Sequence, residues 1–148
     1  MSPAEGFPNP ALRIELGASA SRSVVVTREL TVAHFHPDMP EVYGTPMMIY
    51  LMEVAAAEAV ERFLPEGWVS VGVMVDVRHL AATPVGLTVT ARAEVIAVEE
   101  GRVTFAVEAH DGLEKIGEGR HARSRTTGPL QTKDAGQVSR GPQLSRKD

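Results

Sequence analysis

The chain has 148 residues, 43% of them apolar, with a formal net charge of -4 and a pI near 5.7. This length suits one domain with a substantial core, and basic residues scattered along an acidic chain give no electrostatic footprint for nucleic acid or an anionic membrane. With no cysteine, disulfides, thiolate nucleophiles and cysteine-held zinc are excluded, so any covalent chemistry falls to oxygen or imidazole.

Residues 1–10 hold three prolines and a glycine, which predicts an extended, flexible lead-in. The same start lacks the basic and apolar runs of a signal peptide, and no apolar run reaches transmembrane length; a cytoplasmic protein is expected. "SVVVTREL" at 23–30 reads as a β-branched strand, and "HFHPDMPEVYG" at 34–44 as a proline-punctuated loop. "TPMMIYLMEVAAAEAVERFL" at 45–64 predicts a helix. Thr45 is placed to accept an N-cap bond and Pro46 suits the first turn, while Pro65 and Gly67 stop the helix. Four segments follow that alternate apolar and polar residues, as half-buried antiparallel strands do: "VSVGVMVDVRHLA" at 69–81, "GLTVTARAEVIAV" at 86–98, "RVTFAVEAH" at 102–110 and "LEKIGEGRHARSRT" at 113–126. Gly101 marks one short connection, and Asp111-Gly112 predicts a two-residue hairpin turn. Residues 128–148 mix Gly, Pro, Ser and charge with few apolar side chains, which predicts a disordered tail. The sum is one α+β domain over residues 11–127, a long helix covered by an antiparallel sheet.

Glu53 interrupts the helix pattern. At about 100° per residue, Met48, Met52, Ala55, Ala56, Ala59, Val60 and Phe63 fall on one arc with Ile49 inside it, and Glu58, Glu61 and Arg62 group opposite. Glu53 lies on or at the edge of the apolar arc. Periodicity leaves two readings open: a boundary residue reaching water, or a working carboxylate, since a buried one is costly unless hydrogen-bonded or neutralised. His79 ends its strand on the face of Val73, Val75 and Val77 and looks into the core or a pocket, where an imidazole can serve acid/base chemistry. His121 and Arg123 share a face of the last strand; Arg123 reads either as an exposed strand residue or as an anion partner. His34 and His36 have the spacing of an incipient metal pair, but the flanking loop is short and no metal is expected. Gly72 leaves room for close backbone approach. The common nucleotide-binding and serine-hydrolase motifs are absent.

"TPMMIYLMEVA", "VGVMVDVRHLAATPVGLTVTARAEV" and "AHDGLEKIGEGRHARS" together resemble the fluoroacetyl-CoA thioesterase family of hot-dog-fold enzymes. The resemblance spans roughly residues 24–125, and its most distinctive piece is "HLAATPVGLTVT". It implies a helix wrapped by an antiparallel sheet, a homodimer, and hydrolysis of an acyl-CoA thioester without a cofactor, coenzyme A being part of the substrate. The family's catalytic threonine, glutamate and histidine match Thr45, Glu53 and His79. Gly72 and Arg123 match substrate-site positions, and Met39 and Tyr43 in the preceding loop are further candidates for touching substrate. That loop is shorter than in the fluoroacetyl-specific enzyme, with Met39 near the place of an aromatic lid residue. The resemblance therefore carries thioester hydrolysis further than it carries fluoroacetyl preference. Two other readings remain at this stage: a non-catalytic acyl-CoA-binding module, and an acyl-CoA hydratase or dehydratase, whose D-x4-H loop pattern is missing here.

Overall fold

The computed structural model describes residues 13–127; the lead-in expected over 1–10 and the tail expected over 128–148 lie outside the described residues. Five antiparallel strands, β1 (Ser19–Val25), β2 (Trp68–His79), β3 (Thr88–Glu99), β4 (Arg102–His110) and β5 (Lys115–Thr127), form one sheet in the order β1-β3-β4-β5-β2. A four-residue helix α1 (Val32–Phe35) precedes the long helix α2 (Thr45–Glu61), which packs chiefly on β1 and β3 and also touches β2, β4 and β5. The expected α+β arrangement, a helix wrapped by a sheet, is the one observed.

Alternation explains which face of the sheet meets the helix. On β4, Val103, Phe105, Val107 and Ala109 are buried, and on β3 Val89, Ala91, Ala93 and Val95 are, while the intervening residues carry most of the charge outward. The helix answers with Met48, Met52, Ala55, Ala56, Ala59 and Val60, all buried; Ile49 and Phe63 are only half-buried. Three of these are alanines, which lets the sheet backbone come close. At Gly117 on β5 the approach is close enough that a Cβ atom would clash with the Met48 sulfur.

Several local expectations differ from the structure. Gly44, not Thr45, occupies the N-cap and makes no side-chain cap bond; Thr45 is the first helical residue, and its hydroxyl is engaged elsewhere. The helix ends at Glu61 rather than at Leu64, closing in a turn in which Phe63 and Leu64 donate to the carbonyls of Val60 and Glu61. The first strand runs from Ser19 to Val25, and Arg28–Leu30 forms a 3-10 turn instead of continuing it. Part of the loop before α2 is the helix α1. Asp111-Gly112 does not make a two-residue turn: the connection spans four residues, because the Asp111 carboxylate accepts from the backbone N–H groups of Leu113 and Glu114 at 3.0 Å.

The connection from β2 to β3 fixes the start of α2. The Tyr43 N–H donates to the Thr83 carbonyl (2.8 Å), and Val42 bridges Pro84. The Thr83 hydroxyl, fully buried, donates to Asp111 Oδ2 at 2.9 Å. The stretch "AATP" thus ties the loop that launches the helix to the β4–β5 turn.

Candidate active site

Most of the residues singled out by sequence assemble into two clusters, one where the start of α2 meets the end of β2 and one midway along α2 opposite Gly72. At the first, the Thr45 hydroxyl and His79 Nδ1 share a hydrogen bond of 2.7 Å. A cavity of about 390 Å³ opens beside them, lined by Val32, Val42, Tyr43 and Leu80 among others. His79 thus faces a pocket as expected, although Val73 and Val75 on its strand are exposed. Burial pushes the His79 imidazole below its ordinary value of 6.5, with the Ala81 backbone acting weakly the other way. The ring is accordingly neutral at neutral pH. Its Nε2 is buried and has no hydrogen-bond partner within normal distance. Tyr43 is buried, its hydroxyl donates to the Met47 carbonyl (3.1 Å), and burial pushes its pKa up to about 12. It therefore offers the cavity a ring wall rather than an acid. Met39 stands 47% exposed on the loop and does not line this cavity.

The second cluster surrounds Glu53, whose side chain is 36% exposed. It is held where Gly72 leaves room: a Cβ on Gly72 would lie 2.6 Å from Glu53 Oε2 and 3.1 Å from His121 Cε1. The same oxygen is 3.6 Å from Arg123 Nη1 and 4.0 Å from His121 Nε2. Arg123 is 8% exposed, not an exposed strand residue. Its Nε donates to the Ser70 hydroxyl (2.8 Å), Nη2 to the Ser70 carbonyl (2.9 Å) and Nη1 to His121 Nε2 (3.2 Å). For Nε2 to accept that bond, His121 must carry its proton on Nδ1, which donates to the Met74 carbonyl at 2.8 Å. A register shift between Gly72 and Met74 in the β2–β5 pairing turns that carbonyl toward the histidine, as bulges do. Burial, reinforced by the Arg123 charge, pushes His121 below its ordinary value despite the Met74 bond and the Glu53 carboxylate. The cluster is a fixed guanidinium and a neutral imidazole facing one accessible carboxylate.

His121 and Ser70 are site residues that the sequence does not single out. The face shared by His121 and Arg123 was a partial signal; Ser70 comes into play only through pairing of β2 with β5. Thr45 and Glu53 do not meet, since eight helical residues rise about 12 Å. Among the described residues no group of three or more His, Asp or Glu side chains is gathered for a metal ion.

Comparison with known proteins shows the family and the fold. The family model described as FlK, fluoroacetyl-CoA-specific thioesterase, matches residues 26–125. The fluoroacetyl-CoA thioesterase of Streptantibioticus cattleyicolor is 40% identical over 117 residues, covering 75% of this chain and 84% of its own. A phenylalanine-to-alanine variant of FlK, solved with fluoroacetate and CoA, superposes with a TM-score of 0.71 at 39% identity over 76% of this chain and 95% of that one. A hot-dog-like protein from Thermanaerovibrio acidaminovorans superposes with a TM-score of 0.73 at 28% identity, covering 79% and 87% of the two chains. The chain adopts the hot-dog fold and belongs to the fluoroacetyl-CoA-specific thioesterase family.

Proposed function

We propose that the protein is an acyl-CoA thioesterase that hydrolyses a small acyl-CoA to the free acid and CoA, with Glu53, His79 and Thr45 as its catalytic set. The observation that carries this reading is the partly exposed Glu53 carboxylate, held against Gly72 beside Arg123, in a chain of a thioesterase family. Glu53 either attacks the thioester carbonyl, forming a mixed anhydride as the C–S bond breaks, which water then hydrolyses to the free acid and the regenerated carboxylate, or takes a proton from water that attacks the thioester instead. The departing thiolate receives a proton delivered through His79. Thr45 orients the imidazole and hydrogen-bonds the reacting oxygen. Arg123 and Gly72 bind the acyl end. The reaction needs no cofactor, and a CoA substrate suits a cytoplasmic enzyme; among the described residues no helix is long and apolar enough to cross a membrane.

The two clusters lie about 12 Å apart along one helix, so a homodimer in which each subunit completes the other's site unites them best. Support comes from β2, an edge strand whose Val69, Val71, Val73 and Val75 are exposed. Residues 11–127 form the catalytic domain in this reading.

The test is thiol release from a panel of acyl-CoA esters by the wild type and Glu53→Gln. With no cysteine in the chain, a thiol reagent reads only liberated CoA. Release by the wild type and its loss in Glu53→Gln is the expected outcome. Binding without release from any ester favours the acyl-CoA-binding module instead. Equal rates remove Glu53 from the mechanism. Turnover in heavy-oxygen water then separates the two routes, because a nucleophilic glutamate itself acquires label.

A further inference from the structure

Next to the Glu53 cluster, a second open-sided cavity of about 300 Å³ lies between the C-terminal half of α2 and the start of β2. Its walls are Val54, Ala57, Leu64, Trp68, Val69 and Ser70, with Glu58 and Glu61 at its rim. Its position follows from two periodicities. On the helix, Ala57 lies one turn beyond Glu53 on the same face, and Glu61 one turn further. On the strand, Ser70 and Trp68 follow Gly72 at steps of two on the face turned to α2. Glu53 opposite Gly72 is thus continued by Ala57 opposite Ser70, and the channel ends against Trp68 and Leu64. Ser70 belongs to both compartments, because its hydroxyl and carbonyl hold Arg123.

We propose, resting on the thioesterase reading, that this cavity is the acyl subsite, and that it selects uncharged apolar acyl groups of several carbons or an aromatic ring in preference to a two-carbon acid. A carbonyl carbon placed at Glu53 directs its substituent along the Ala57–Ser70 channel. The small Ala57 side chain leaves the passage open, and Trp68 closes its end. The volume is at the lower end of pockets that hold small molecules, far larger than an acetyl group needs. A carboxylate-tailed acyl group meets Glu61 and Glu58 at the rim. Glu58 is paired with Arg22, so the repulsion there comes chiefly from Glu61.

The experiment measures kcat/KM by thiol release for acetyl-, hexanoyl-, decanoyl-, phenylacetyl- and succinyl-CoA with the wild type, Ala57→Leu and Trp68→Ala. Because a methylene in an apolar pocket is worth about tenfold or more, the wild type is expected to favour hexanoyl- or phenylacetyl-CoA over acetyl-CoA by at least that factor, with succinyl-CoA below hexanoyl-CoA. Ala57→Leu fills the channel and lowers the hexanoyl-to-acetyl ratio about tenfold. Trp68→Ala opens its end and raises the decanoyl-to-hexanoyl ratio. A wild type that prefers acetyl-CoA overturns the proposal. So does an Ala57→Leu protein whose rates fall by one common factor for every ester, which is the signature of a damaged fold or subunit interface. No release from any ester by the wild type overturns the thioesterase reading itself.

Discussion

Replacing the Glu53 carboxylate with an amide of the same shape removes the base or nucleophile and leaves the packing of α2 intact. Glu53→Gln is expected to lower kcat by about a hundredfold or more, the scale of a positioned acid/base group, with an unfolding midpoint close to that of the wild type. Gly72→Ala reaches the same carboxylate from the other side. Its methyl would sit 2.6 Å from Glu53 Oε2, so the carboxylate must move, and a misplacement of about 1 Å costs about a hundredfold in rate. Circular dichroism and thiol release together check that the loss is in turnover and not in folding. Glu53 was readable as an anomaly in the helix pattern, and its matches in the flanking motif raised it to a candidate. The guanidinium beside it was readable through the family resemblance but not through periodicity, because Arg123 on a strand looks the same in sequence whether it faces solvent or the core. His79 and His121 add a pH dependence. Both titrate below 6.5 in the fold, burial being the first cause in each, and near 6.5 once unfolded. The unfolded chain therefore binds more protons in that window. The stability these residues contribute is full above about 6.5 and is lost as pH falls through their folded values. Urea unfolding between pH 8 and 5 is expected to show a falling midpoint, with a shallower fall in His121→Gln.

Among the elements, α2 and the four later strands were legible because their apolar residues repeat at clear periods, and the six fully buried helix residues were all on the expected arc. The turns were less so, because side chains settle them. Asp111 next to Gly112 signals a tight hairpin only if its carboxylate is free, and here it accepts two backbone N–H groups and the Thr83 hydroxyl. That last bond gives the motif "HLAATP" a physical role. Thr83 holds the backbone of Tyr43 through its carbonyl and Asp111 through its hydroxyl, so it positions the segment on which Thr45 stands. Thr83→Val keeps the volume, removes the donor and leaves Asp111 one partner short. It is expected to cost about 1–3 kcal/mol in urea unfolding and to lower kcat, with Thr83→Ser recovering both. A stability loss with kcat unchanged would show that the bond supports the fold without setting the geometry of the site.

At the scale of the whole molecule, one chain separates Thr45–His79 from Glu53–Arg123, whereas the proposed mechanism needs both. One sequence contains no record of which strands pair across a sheet or between subunits, whereas among the described residues β2 pairs only with β5 and carries exposed valines. An edge strand whose residues 68–75 carry no charge invites pairing with another chain, and an isologous pairing of two β2 strands would repeat every contact about a two-fold axis. The composite-site proposal then makes a quantitative prediction. Thr45→Ala and Glu53→Gln chains are each inactive alone, and unfolded together and refolded at equal amounts they give half mixed dimers. In every mixed dimer one site has lost both residues and the other has kept both, so activity is expected to return to roughly a quarter of the wild-type value under two-fold symmetry. If each chain builds its own site, the refolded mixture stays inactive, because no chain in it carries both residues. Val73→Asp, which places a charge on the exposed edge, is expected to yield monomers by sedimentation and to abolish turnover. Monomers that keep turning over would show that one chain suffices and that α2 must bend or the substrate must span the 12 Å or so between Thr45 and Glu53.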